Sequence, residues 1–185
     1  MNLLVDDVTD IINAMRVWAS DKKSFLYGRL DINNVGMARH SMGAITSQLM
    51  IGQPRCVSTA KNDKRIRAAV LMSPSIPSLQ SAKSAFGSVT TPCLLLSGTR
   101  DNPPFFRNQS IESRRAVFPA LLNGKAYELV LHNATHSAFS DRSLRNDPPP
   151  NPKQHRAIEA ITTAFWDAYL QGNKDAQKWL RDGGT

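Results

Sequence analysis

The sequence predicts an α/β fold in which a mostly parallel sheet of about four strands is covered by helices on both faces. Short, continuously apolar segments, typical of strands buried on both faces, alternate along the chain with amphipathic segments of helical period. A turn or a helix follows each apolar segment, as in parallel sheets, whose strands are joined by crossover helices. The length of 185 residues favours a single domain over residues 1–185.

Each predicted strand ends at residues that interrupt an apolar run. Ser73 and Pro74 end the second strand, Gly98 ends the third, and the fourth ends at His132. The predicted strands are residues 34–38, 67–72, 93–97 and 127–131.

The helices are indicated by apolar residues at three- and four-residue steps. In the first helix these residues are Val5, Val8, Ile11, Ile12, Met15 and Trp18. Pro119 must end or kink the helix over 110–122, and four prolines make residues 146–153 an exposed loop. The later predicted helices are residues 42–52, 110–122 and 157–170, with a short helix within 73–91 and another through Trp179 and Leu180.

Composition excludes several classes of protein. The formal net charge of +8 predicts a solvated basic surface, with polyanion binding as the alternative. The densest basic run, residues 61–67, lacks the interleaved aromatic residues of a single-strand nucleic-acid site, so no nucleic-acid partner is expected. The sequence contains neither an apolar stretch long enough for a transmembrane helix nor a secretory signal. Cytoplasmic localisation is the default expectation, unless an upstream extension carries an export signal.

The two cysteines, Cys56 and Cys93, form no Cys-x-x-Cys pair and are too few for a disulfide scaffold. Cys93 lies in an apolar run and is predicted to be a buried free thiol.

Residues with catalytic potential follow three of the predicted strands. Ser41 follows the first strand, Asp101 the third and His136 the fourth. Sites in parallel sheets lie at the carboxyl ends of the strands, which places all three residues at the expected edge. Singly, Ser41 could be a helix cap, Asp101 a turn residue and His136 a structural histidine. Together, their order favours a nucleophile, an orienting acid and a general base.

Residues 35–44 have the outline of a nucleophile elbow, a sharp strand-to-helix turn that presents a reactive serine. Small residues are expected two positions before and after the serine, where strand and helix backbones pass closely. Gly43 meets this requirement, whereas Arg39 does not. The N–H of Met42 is placed to donate to an oxyanion. His40 belongs to the elbow, but its side chain is expected to point away from Ser41.

With these motifs, at residues 39–43, 98–101 and 134–136, the chain resembles the α/β-hydrolase superfamily. Within it, the chain looks most like bacterial esterases of the dienelactone-hydrolase and platelet-activating-factor-acetylhydrolase type. Residues 28–31 and 164–170 support that subgroup.

The resemblance implies a three-layer α/β-hydrolase fold and hydrolysis of a carboxylic ester through an acyl-enzyme. Ser41 would be the nucleophile, His136 the general base and then acid, and Asp101 the orienting acid. The substrate would be a small-molecule or lipid-like ester, and no metal or organic cofactor is expected.

The chain departs from the family pattern at Arg39 and at its beginning, where the family has further strands. It is therefore expected to be the carboxyl-terminal portion of the fold, with the strand before Ser41 at an open sheet edge. Such an edge favours self-association. The alternative function is an inactive hydrolase remnant, or an interaction module that pairs through this edge.

Overall fold

The computed structural model describes residues 2–54, 62–77, 79–102, 110–122, 124–144 and 147–183. Within these residues four strands form one parallel sheet, whose spatial order follows the chain. This sheet confirms the predicted fold class. The strands are β1 (Val35–His40), β2 (Ile66–Met72), β3 (Cys93–Arg100) and β4 (Ala126–Thr135).

Six α-helices and two 3₁₀ turns accompany the strands in the described part of the chain. The 3₁₀ turns are Phe118–Ala120 and His136–Phe139. The helices are α1 (Asn2–Ser20), α2 (Met42–Met50), α3 (Ala82–Phe86), α4 (Ile111–Arg115), α5 (Pro152–Leu170) and α6 (Lys174–Arg181).

Helices cover both faces of the sheet. Right-handed crossovers between strands that are neighbours in sequence keep their connecting helices on one side. That side packs against α1, α2 and α3 in a core that includes Val8, Leu49 and Phe86. The other side packs against α5 and α6 through Phe165 and Leu180. The three layers are those expected from the alternating sequence pattern.

The residues of β2 show why the strand segments are continuously apolar. Ala69 and Leu71 belong to one core cluster, whereas Ala68 and Val70 belong to the other. Successive side chains of a strand point to opposite faces, so a strand covered on both faces needs an apolar residue at every position.

Cys93, the first residue of β3, is fully buried as a free thiol, as predicted. Burial raises the pKa of this thiol to about 12. Cys56 lies outside the described residues.

β3 and β4 extend beyond their predicted ends. Gly98 pairs with Leu131 and Arg100 pairs with Thr135, so β4 is longer than β3 between the two pairs. The additional residues of β4 form a bulge. A bulge contains polar residues that resemble a loop in sequence, although the strand resumes its pairing afterwards.

The bulge is held by contacts with β3. Asn133, at its centre, has a φ of 55° and donates its N–H to Thr99 Oγ1 at 2.8 Å. A Cβ atom at Gly98 would overlap the Ala134 carbonyl, so only glycine lets the bulge lie this close to β3. The bulge therefore fixes where β4 ends, and with it the position of His136, the next residue.

Proline sets two helix boundaries. The helix predicted over 110–122 is interrupted, as expected from Pro119, which has no N–H to donate and lies in a separate 3₁₀ turn. The predicted start of α5 at 157 and the predicted loop over 146–153 are both wrong at residues 152–153. α5 begins at Pro152, because proline is well suited to the first turn of a helix. Asn151 caps this start by accepting the N–H of Lys153 at 3.0 Å.

β1 is the edge strand of the described sheet, with β2 as its hydrogen-bonded neighbour. This position agrees with the expectation that the strand before Ser41 lies at an open edge. None of the described helices is long and apolar enough to cross a membrane.

Candidate active site

Ser41 occupies a strained turn between β1 and α2. Its φ of 57° and ψ of −120° lie outside the regions that non-glycine residues usually adopt. Its N–H donates to the carbonyl of Met72, the last residue of β2, at 3.0 Å. Ser41 stands at the N-cap position of α2, but its side chain makes no capping hydrogen bond. The hydroxyl is thus directed away from the helix start.

The hydroxyl of Ser41 meets the ring of His136 instead. The distance from Ser41 Oγ to His136 Nε2 is 2.8 Å, and the distance from His136 Nδ1 to Asp101 Oδ1 is 2.7 Å. Asp101 is completely buried and His136 is nearly so. The structure therefore brings together the three residues that sequence order singled out.

This hydrogen-bond chain has a defined direction. The Asp101 carboxylate can only accept, so Nδ1 of His136 carries the ring hydrogen and donates it. Nε2 is then the acceptor of the Ser41 hydroxyl. The arrangement can withdraw a proton from Ser41 while Asp101 stabilises the charged ring.

Ser73 is a site residue that the sequence argument missed. It follows β2 directly, has a φ of 55°, and donates its hydroxyl to Asp101 Oδ2 at 2.7 Å. Its N–H donates to the carbonyl of Leu96 in β3 at 2.8 Å. The rule that sites follow strand ends would have found Ser73, because it applies equally to β2.

Arg114, in α4, is a second missed residue and lies against Asp101. Its side chain is only 2% exposed, and its Nε atom is 3.4 Å from Asp101 Oδ1. No sequence signal distinguishes Arg114 from the adjacent Arg115, which is exposed.

The expectation that His40 points away from the site is wrong. Its ring packs against the His136 ring with a centroid distance of 4.5 Å, and Phe139 lies on it at 5.8 Å. His40 ends β1, and the sharp turn at Ser41 folds the chain back so that the two rings meet. Burial, and to a smaller extent the nearby His136 ring, lowers the pKa of His40 to about 4.

Arg39 and Gly43 pack against each other across the elbow. A Cβ atom at Gly43 would stand 3.1 Å from both Cβ and Cδ of Arg39. The first turn of α2 can therefore pack against the Arg39 side chain because Gly43 has no side chain of its own. The N–H groups of Met42 and Gly43 belong to the first turn of α2, where a helix has no internal acceptor for them.

A cavity of about 310 Å³ lies between the end of β2, the 3₁₀ turn after β4 and α5, and none of Ser41, Asp101 and His136 lines it. Met72, which accepts the Ser41 N–H, and Phe139, which packs on His40, both line it. Its lining mixes apolar side chains such as Ile158 with polar ones such as Glu159. The described residues contain no cluster of side chains that could hold a metal ion.

Comparison with known proteins supports the fold. Neither a scan against protein-family models nor a search of curated proteins finds a significant match. Among solved structures, the chain is similar to a protein from Klebsiella pneumoniae described as a "putative dienelactone hydrolase", with a TM-score of 0.61 and 14% sequence identity. The match covers 89% of this chain and 60% of that chain. The chain thus has an α/β-hydrolase-like fold and spans about 60% of the length of this neighbour.

We predict that Gly43→Ala destabilises the protein, although alanine normally favours a helix over glycine. The new methyl group displaces Arg39, at a cost of about 1–3 kcal/mol. In an Arg39→Gly background the same substitution should be tolerated. Urea unfolding of the two single variants and the double variant measures the coupling, and additive effects would contradict the contact.

The low pKa of His40 predicts a loss of stability in acid. His40 binds a proton below about pH 6.5 in the unfolded chain but only near pH 4 in the folded one. Its contribution therefore falls as the pH is lowered from 6.5 to 4. Tm measured across this range should fall less steeply for His40→Asn than for the wild type. The control is His132→Asn, which replaces an exposed histidine and should keep the wild-type slope. Equal slopes for all three proteins would refute the prediction.

Proposed function

We propose that this chain is a serine hydrolase that cleaves carboxylic esters through an acyl-enzyme. The observation that carries the proposal is the hydrogen-bond chain from Ser41 through His136 to Asp101, with distances of 2.8 and 2.7 Å. The order Ser41, Asp101, His136 along the chain agrees with this assignment. Each of the three residues directly follows a strand, and sites of this kind occur at the carboxyl ends of strands.

In the proposed reaction, His136 carries one proton from the attacking group to the leaving group in each of the two steps. Nε2 takes the Ser41 proton as Oγ attacks the ester carbonyl, and the N–H of Met42 stabilises the oxyanion. The intermediate collapses, and the leaving alcohol takes the proton from Nε2. Water then attacks the acyl-enzyme by the same route in reverse, so that the acid is released and Ser41 is restored.

The solved neighbour supports an ester substrate. It is described as a "putative dienelactone hydrolase", and a lactone is a cyclic ester. Arg39 at the elbow, where a small residue is expected, predicts slow turnover.

The proposal predicts that a fluorophosphonate probe labels Ser41. Labelling requires His136 to accept the hydroxyl proton, so it reports a competent nucleophile even when turnover is slow. Peptide mapping after digestion identifies the modified residue. Ser41→Ala should abolish labelling and reduce p-nitrophenyl acetate hydrolysis by about 10³-fold or more. Ser20→Ala, an exposed serine in α1, should change neither. An unlabelled Ser41 in folded protein would overturn the proposal.

A second candidate function is an interaction module that pairs with another copy of the chain at the β1 edge. The supporting observation is an apolar stripe on α1, which shares a core cluster with β1. Its members are 38–51% exposed: Leu4, Ile11, Met15 and Trp18. An edge strand and an exposed apolar stripe each favour association with another chain.

Sedimentation over a range of concentrations tests this second candidate. It predicts a dimer that Trp18→Lys converts to a monomer, because a charge would be buried in the stripe. Leu79→Lys is the control, since Leu79 is 87% exposed elsewhere on the chain. A monomer at every concentration would exclude pairing, and this result is independent of whether Ser41 is labelled.

A further inference from the structure

Arg114 is a buried cation whose contacts converge on the candidate active site. Its Nη1 atom donates to the carbonyl oxygens of Ser73 and Pro74 at 2.7 and 3.2 Å, and its Nε atom donates to the carbonyl of Asp101 at 3.0 Å. Ser73 and Asp101 follow β2 and β3 directly. One guanidinium therefore ties the ends of two strands to α4.

The same guanidinium lies against His136, which is proposed to move the proton, and against Asp101, which orients it. Its Nε atom is 3.4 Å from Asp101 Oδ1, and its Nη2 atom is 3.4 Å from His136 Nδ1. Nδ1 of His136 approaches that same carboxylate oxygen at 2.7 Å. The carboxylate thus faces the arginine and the imidazole together.

A cation in this place has two consequences. It compensates the negative charge of Asp101, which is buried and would otherwise be costly. It also repels a positive charge on His136, because arginine remains protonated in proteins. Burial lowers the pKa of Arg114, and Asp101 offsets part of this effect.

We propose, on the basis of the function proposed above, that Arg114 is a positioning residue that also sets the pH range of the site. It holds Asp101 in place for His136. Its positive charge also opposes the charge that the His136 ring acquires when the ring takes the Ser41 proton.

The other charged and titratable groups that face His136 act in known directions. Asp101, at the end of β3, favours a charged ring. Asp147 accepts the N–H of Ser137 at 3.1 Å and is a second nearby carboxylate. Its pKa is raised by burial but lowered more by its hydrogen bonds, so it carries charge. His40, from β1, is neutral over most of the pH range. Among the described residues, Arg114 is the cation that opposes the effect of these two carboxylates on the His136 ring.

The test measures kcat/KM for p-nitrophenyl acetate hydrolysis as a function of pH. It compares the wild type with Arg114→Met, Arg114→Gln and Arg114→Lys. The acidic limb of this profile reports protonation of the general base in the free enzyme. Removing the charge should move that limb to higher pH by about one unit, the scale expected for a charge at this distance. Arg114→Lys keeps the charge, so its limb should stay in place while kcat falls several-fold at unchanged KM. Arg115→Met, the matched control, should match the wild type.

Several results would overturn the proposal. A neutral variant that folds and keeps the wild-type acidic limb would do so. If circular dichroism shows that neither neutral variant folds, Arg114→Lys decides, and a wild-type kcat in that variant rejects the positioning role. Failure of all three variants to fold would also reject it, because Arg114 would then be required by the fold and not specifically by the site.

A separate measurement distinguishes this proposal from the proposed function. If fluorophosphonate does not label wild-type Ser41, the hydrolase assignment fails first. The protonation of the His136 ring can still be followed by NMR in the wild type and the Arg114 variants, because it requires no turnover. A ring that protonates at the same pH with and without the arginine charge would reject the role of Arg114 independently.

Discussion

The arrangement at the C-terminal ends of the strands depends on how the buried carboxylate of Asp101 is stabilised. An isolated charge in that position would be prohibitively costly, so it must be surrounded by donors. The donors come from three other parts of the chain: Ser73 after β2, Arg114 in α4 and His136 after β4. Each of these contacts fixes the end of one element relative to β3. The hydrogen bonds that stabilise the charge of Asp101 thus also determine the position of the His136 ring, which faces Ser41.

The turns after β1 and β2 have similar φ angles at their serine and the same type of hydrogen bond. Ser41 and Ser73 both have positive φ, and each donates its N–H to a carbonyl of the next strand in the sheet. The turn reverses the chain sharply enough to direct a hydroxyl over the sheet edge. One hydroxyl reaches the imidazole and the other reaches the carboxylate, so both ends of the His136–Asp101 pair have a serine partner.

Much of this arrangement could be predicted from the sequence, because it depends on local pattern. Continuous apolar runs identify the strands, and parallel strands bring the residues that follow them to one edge, which is why Ser41, Asp101 and His136 were found. Arg114 could not be predicted, since its partners at Ser73 and Asp101 are distant in sequence and one basic residue in α4 resembles the next. The position of His40 was mistaken because adjacency in sequence says little about direction at a sharp turn.

The bulge in β4 makes the length of residues 132–134 as important as their identity. Thr135 resumes pairing with Arg100, and the ring of residue 136 follows at once. Successive residues of a strand face opposite sides, so deleting one residue here would exchange the inward and outward positions beyond it. The four strands could persist while the imidazole turned away from the serine. In this chain a short irregular segment, whose side chains take no part in the proposed reaction, therefore determines whether the imidazole of His136 faces Ser41.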